Sequence, residues 1–250
     1  MTIRAEMNMK LAKCEWNVDF NENKKTFELT LDEKPLLTPG GNPVAHNNER
    51  FLYHMLAELR CLKTLDKKLN SLWLYSSAVD HQEKLKTVFS LKEVRTMLLQ
   101  DPTLARCAEP NLAMAQMGDW GPLNNYFSKN QLEYPDFPQG EDREEYLREL
   151  GDESVQVFAH LVRKVTCDIE PLTVAQKCVI ANAKNCYGSF IWGFLLATNQ
   201  STPLEFATGI AATQCALPWA FSDVKLEEYA EAIKGMAHDA LLMRTFVEMF

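Results

Sequence analysis

The seven cysteines include no Cys-x-x-Cys pair, no apolar run approaches the length of a membrane span, and lysine and arginine are outnumbered by acids. Each lack excludes a class. Cys14, Cys61, Cys107, Cys167, Cys178, Cys186 and Cys215 are scattered and odd in number, so a disulfide framework and a thiolate zinc site are not expected. They read as reduced, mostly buried small apolar side chains. The segment Phe190–Ala197 is the nearest to a span and falls far short of the roughly 18 apolar residues required. With a net charge of −8 and no basic run longer than a pair, as at Lys24-Lys25 and Lys67-Lys68, the chain lacks the clustered cations that neutralise phosphates. No nucleic acid and no membrane span are expected. The first residues carry Arg4, Lys10 and Lys13 against Glu6, which reads as an ordinary terminus and not as an organelle presequence.

Catalytic kits are missing as well. His46, His54, His81, His160 and His238 are far apart, and none has a second ligand at metal-binding spacing. Gly188 and Gly193 are followed by no Gly-Lys-Ser/Thr, so they suit close helix packing better than a phosphate loop. The acidic run from Gly140 to Leu150 reads as an exposed, solvated helix. The expectation is therefore no enzyme, no catalytic residue, no metal, no cofactor and no small-molecule substrate.

What is present is a change of period. Trp16, Val18 and Phe20, then Phe27, Leu29 and Leu31, alternate with polar residues, which predicts two strands each with one buried face. Asn21 to Lys25 forms the turn between them, and the Pro/Gly-rich stretch from Pro35 to Ala45 continues as short extended pieces. From Asn47 the spacing becomes helical. Phe51, Leu52, Met55, Leu56 and Leu59 share one side, and Ser90 with Glu93 forms a capping box before Val94, Met97 and Leu98. Leu132 to Asp142 reads as a linker. Helices follow around Asp142–Glu149 and from Val155 through Leu161. Leu172 to Leu196 reads as one central helix. Pro203 to Pro218 is another, capped by Thr202, and a last helix from Ser222 turns Leu226, Tyr229, Ile233 and Leu241 inward. The fold class is α+β: a small antiparallel β-rich N-terminal domain, 1–60, followed by a larger all-helical domain, 61–250.

The stretch from Asp101 to Leu123 is the densest in features. Asp101-Pro102 can start a helix, Arg106 lies about a turn from Glu109 as a directional ion pair, and Pro110 opens a further helix offering Leu112, Met114, Ala115 and Met117 for packing. Trp120, held by turn residues, is either core or an interface anchor.

These residues resemble a known family. Mitochondrial and α-proteobacterial assembly chaperones of the F-type ATP synthase carry an aspartate, an arginine followed closely by Glu-Pro, and a glutamine four residues before Trp-Asp-Pro. Here the positions read Asp101, Arg106, Glu109-Pro110, Gln116 and Trp120-Gly121-Pro122, with one residue fewer between Pro110 and Gln116. The N-terminal part is similar through Leu31-Asp32, Lys34, Thr38-Pro39 and Pro43. Ser76–Asp80, the helix from Leu172 to Leu196, and Ala237-His238-Asp239 follow in the same order, so the resemblance covers nearly the whole chain.

There are departures. Leu59 follows Ala57-Glu58 where the family has tryptophan, Ser71-Leu72-Trp73 replaces a Pro-Leu-Thr, and Gly235-Met236 replaces Glu-Trp. Thr213 to Pro218 stands where the family is acidic, which places Gln214 or its neighbour at a carboxylate position. The resemblance implies a non-enzymatic chaperone of the mitochondrial matrix that binds the ATP synthase α subunit and masks its β-facing surface until the catalytic head assembles. An interface of roughly 1,200–2,000 Å² would suit such capture. The partner-binding residues it points to are Trp120, Arg106, Glu109, Gln116, Gln214, His238 and Asp239. The departures suit an alternative, an accessory structural subunit of a mitochondrial complex, either the ATP synthase or another large assembly. Exposed aromatics such as Trp73 and Trp219 would serve such a permanent contact.

Overall fold

The computed structural model describes residues 15–61, 69–105, 110–135, 137, 143–149, 151–215 and 226–250. Expectations for the N-terminal segment to Cys14, for Arg106, Cys107, Glu109 and Trp219, and for a helix start at Ser222 lie outside these residues. The chain divides into two compact units, Met1–Glu83 with Thr245–Phe250, and Lys84–Arg244.

The first unit holds the antiparallel sheet. Strands β1 (Trp16–Asn21) and β2 (Thr26–Leu31) pair in register, Trp16 opposite Leu31 and Phe20 opposite Phe27. On its other edge β2 receives two short strands, β3 (Lys34–Pro35) beside Thr30 and Leu31, and β4 (Ala45–His46) beside Phe27 and Glu28. The turn into β3 uses Asp32 and Glu33 at φ 50° and 63°, a left-handed conformation that is uncommon for residues other than glycine.

The alternation holds only in part. Leu29 is fully buried, but Glu28 and Thr30 on the opposite face are largely buried as well, while Phe20 is 54% exposed. The Glu28 carboxylate can be buried because Asn21 Nδ2 and Lys24 Nζ both donate to its Oε1 at 2.9 Å. Thr30 Oγ1 donates to Asp19 at 2.6 Å.

Helix α1 (Glu49–Cys61) packs on this sheet and buries Phe51, Leu52, Met55, Leu56 and Leu59, the stripe its spacing predicts. Helix α2 (Ser71–Asp80) is capped by Asn70, whose side chain accepts from Trp73 N at 2.8 Å. The end of the chain completes this unit. His46, Phe51, Tyr75, Phe246 and Phe250 form one aromatic cluster, and Asn48 Nδ2 donates to Met249 O at 3.1 Å.

Within the second unit and at its borders, the helices are α3 (Gln82–Thr87), α4 (Leu91–Gln100), α5 (Pro110–Asp119), α6 (Gly121–Lys129), α7 (Arg143–Glu149), α8 (Asp152–Ile169), α9 (Val174–Tyr187), α10 (Phe190–Ala197), α11 (Pro203–Cys215) and α12 (Leu226–Met249). Helix α10 is buried all round and packs against α4, α6, α9 and α11. It is the core of the bundle.

Several expectations need correction. Leu172–Leu196 is not one helix. Gly188 takes φ 75° and ends α9, and Ser189 caps α10 through Trp192 N. Gly193 does serve close packing, since a Cβ there would meet Ala183 Cβ at 2.6 Å. The Leu132–Asp142 stretch is not a solvent linker where it is described, because Phe137 is buried at 1% exposure and packs edge-on to Phe158. In α12, Leu241 is 54% exposed, and among the described side chains Ala240, Leu242, Met243 and Phe246 are buried, those of Leu226 and Tyr229 lying outside the described ones. Cys61, Cys167, Cys178 and Cys186 form no disulfide, but Cys61, Cys167 and Cys186 are exposed while Cys178 is buried.

Candidate docking surface

Asp101 closes α4 and opens a short 3-10 turn, Pro102–Leu104, by accepting from Thr103 N at 3.0 Å. The same carboxylate accepts from Ser189 Oγ and, at 2.8 Å, from Ile191 N. It therefore satisfies the first turn of α10, where backbone donors have no intrahelical partner. Burial raises its pKa, and the backbone and hydroxyl donors of Ile191, Thr103 and Ser189 oppose that rise. Arg143 Nη1 donates to the carbonyls of Leu99 and Asp101 at 2.8 and 2.6 Å. Each described partner of Asp101 is internal, and the carboxylate holds the bundle's central helix.

Trp120 is equally internal. Its side chain is 2% exposed, its indole N–H donates to Gly209 O at 3.4 Å, and its ring stacks on Tyr134. It joins the α5–α6 junction to α11. Gln116, 1% exposed, lies on the same buried side of α5. In this structure neither side chain presents surface to a partner.

The opposite side of α5 does. Met114 and Met117, three residues apart and so on one face, are 72% and 58% exposed. Gly118 beside them has nothing within 4 Å of a Cβ position. Helix α5 carries no lysine, arginine or glutamate, and Asp119 at its end is its single charge. An uncharged outer face is unusual for a solvated helix. Flexible, polarisable methionine is the side chain that adapts to varied partner surfaces. The sequence offered these methionines for packing; the structure turns them to solvent.

The C-terminal candidates lie on other elements. Gln214 is in the last turn of α11. His238 is exposed on α12, and Asp239 beside it accepts from Tyr187 OH at 2.6 Å, tying α12 to α9. Burial, followed by that hydrogen bond to a carboxylate, raises the Tyr187 pKa. The structure thus brings Trp120 and Gln116 together inside the bundle, and sets His238 and Asp239 on another helix. Among the described residues no group of three His, Cys, Asp or Glu side chains is placed to hold a metal ion, and no described helix is long and apolar enough to cross a membrane.

A small antiparallel sheet with its covering helix, and a helical bundle, define an α+β protein of the kind the sequence resemblance anticipates. The fold is that of Atp12. The crystal structure of Atp12 from Paracoccus denitrificans matches with a TM-score of 0.62 over 94% of this chain and 95% of that one, at 16% identity. A point mutant of the same protein gives 0.61 at 17% identity with the same coverage. A protein of Agrobacterium tumefaciens, provisionally described as a chaperone, also gives 0.61 at 17% identity over 94% of this chain and 84% of that one. No protein-family model and no curated protein sequence matches the chain. At this identity the likeness is one of fold.

Proposed function

We propose that this chain is an assembly chaperone of the F-type ATP synthase, acting in the mitochondrial matrix without catalysis. It binds the α subunit and covers the surface that β later buries. The observation that carries this reading is agreement with the Atp12 fold over 94% of the chain, joined to a sequence resemblance that runs in the same order from Leu31 to Asp239. The exposed Met114–Met117 face of α5 supplies apolar surface of the sort that marks a protein contact, and release follows from competition by the β subunit.

One observation favours a second reading. Thr213 to Pro218 is uncharged where the resemblance leads one to expect acids, which suits an accessory subunit that kept the fold and lost the grip. Affinity capture from a matrix extract separates the two. A substoichiometric catch of free α subunit, displaced by added β subunit, supports the chaperone. Constant stoichiometry with a mature complex, and none with free α subunit, removes it.

A further inference from the structure

Helices α4, α7 and α8 enclose a groove of about 590 Å³, within the range of a built binding site. Its floor is apolar, formed by Leu147, Phe158 and Val162, all buried. Leu91 and Val155 wall it and remain 52% and 44% exposed, so the groove lies open to solvent. Those two side chains are among the larger apolar groups the protein leaves in water.

The rim is mostly cationic. Among the described residues, Lys92 and Arg95 come from α4, Arg148 from α7 and Arg163 from α8, against one lining carboxylate, Glu144. That carboxylate is engaged, since both terminal nitrogens of Arg95 donate to it. The guanidinium also lies 5.9 Å from the centroid of Phe158 on the floor. Bidentate pairing and ring contact fix Arg95 over the apolar surface. Lys92, Arg148 and Arg163 then give the rim a positive potential in a chain whose net charge is −8.

We propose that this groove docks an acidic amphipathic helix of a partner protein, with apolar anchors on the floor and carboxylates against the rim. Apolar exposure supplies the drive, and helix-in-groove capture matches a trough between helices. Cations spread over three helices fit several carboxylates along a segment. A small lipid-like acid needs one cation and an enclosed pocket. The groove shares no residue with the outer face of α5, so this assignment stands or falls apart from the chaperone reading.

The test uses the full chain and labelled peptides read by fluorescence anisotropy. One peptide carries leucines at helical spacing separated by glutamates; a second has lysine for each glutamate, and a third has serine for each leucine. The acidic peptide is expected to bind, and to bind about tenfold more weakly when salt is raised enough to shorten the Debye length from about 10 Å to about 3 Å. The other two peptides should not bind. Arg148→Glu with Arg163→Glu, both at exposed positions, should weaken the acidic peptide by about tenfold or more. Val155→Asp should do the same through the wall, with circular dichroism unchanged for both variants. Absence of binding by the acidic peptide, equal binding of the lysine peptide, or unchanged binding in the charge-reversed variant would overturn the proposal. So would saturable decanoate binding without peptide binding, which makes the groove a lipid pocket. Dimerisation of the chain abolished by the same reversal would equally overturn it, by assigning the groove to a second copy.

Discussion

Thr38 donates its hydroxyl to Asp80 at 2.5 Å, and this bond joins two stretches that the sequence resemblance picked out separately. The Asp80 carboxylate also accepts from Gly40 N and from Asn42 Nδ2, each at 2.8 Å. It organises the whole Thr-Pro-Gly-Gly-Asn turn. A Cβ at Gly40 would approach Asp80 to 2.6 Å, which explains a glycine there on steric grounds. Partial burial pushes the carboxyl up, but the hydrogen bonds from Thr38, Asn42 and Gly40 outweigh it and hold Asp80 below its ordinary value. A depressed folded-state value means that the unfolded chain binds more protons, so the contribution to stability is present above about pH 4 and is lost as pH falls through the folded-state value. Asp80→Asn should be less stable than wild type near neutrality, and the gap should stay constant down to about pH 5 and narrow as pH falls further through the folded-state value. Urea titrations across that range would show it; a gap that is constant with pH would remove the ionised carboxylate from the explanation.

Gly209 of α11 faces the indole of Trp192, where an added Cβ would lie 2.0 Å from Cζ2. Trp192 is fully buried, so the ring has nowhere to move. Gly209→Ala should lower unfolding free energy by about 3 kcal/mol, at the upper end of overpacking costs, seen as a lower urea midpoint at unchanged slope. Gly118→Ala is the matched control, because nothing lies within 4 Å. It should leave stability unchanged or raise it by about 0.5–1 kcal/mol through helix propensity. Equal effects at the two sites would refute the steric account.

Local patterns were legible where the interactions that decide them are local. The α1 stripe and the reciprocal cap of α11, in which Thr202 N and Glu205 N each bond the other residue's side chain at 2.7 and 3.2 Å, follow from neighbours in sequence. The break at Gly188 was missed although Gly188 as a C-cap and Ser189 as the next N-cap are local signals; what the sequence could not show is distant Asp101 accepting from Ile191 N in the same turn. Met114 and Met117 were misread for a different reason. Helix α5 is apolar or neutral on nearly every side, so its sequence does not distinguish the face that packs from the face that shows. The groove was out of reach, since its rim charges come from three separate helices.

Cys178 is buried in α9, and that burial pushes its thiol up to about 12, with the Asn182 side chain opposing. At neutral pH it stays protonated and enclosed, and the thiolate is the reactive form. Among the described cysteines, Cys61, Cys167 and Cys186 are exposed and should react with a thiol reagent in the native protein. Cys178 should react only after denaturant is added. Mass spectrometry of tryptic peptides would locate the label, and native modification of Cys178 would show that α9 opens locally.

Trp120 and the methionines of α5 make opposite predictions about one helix. Trp120→Ala removes a buried ring and its bond to Gly209 O, which should cost about 3–5 kcal/mol. Partner capture would then fall together with thermal stability. Met114→Ser with Met117→Ser alters side chains that are 72% and 58% exposed, and stability should stay within about 0.5 kcal/mol. If this face grips the α subunit, capture should nevertheless drop by about tenfold or more, since a central apolar anchor is worth above 1 kcal/mol. Thermal melts and capture are measured side by side on both variants. A methionine variant that melts and captures like wild type would move the contact off α5, whatever Trp120→Ala does, because only the exposed pair separates binding from folding.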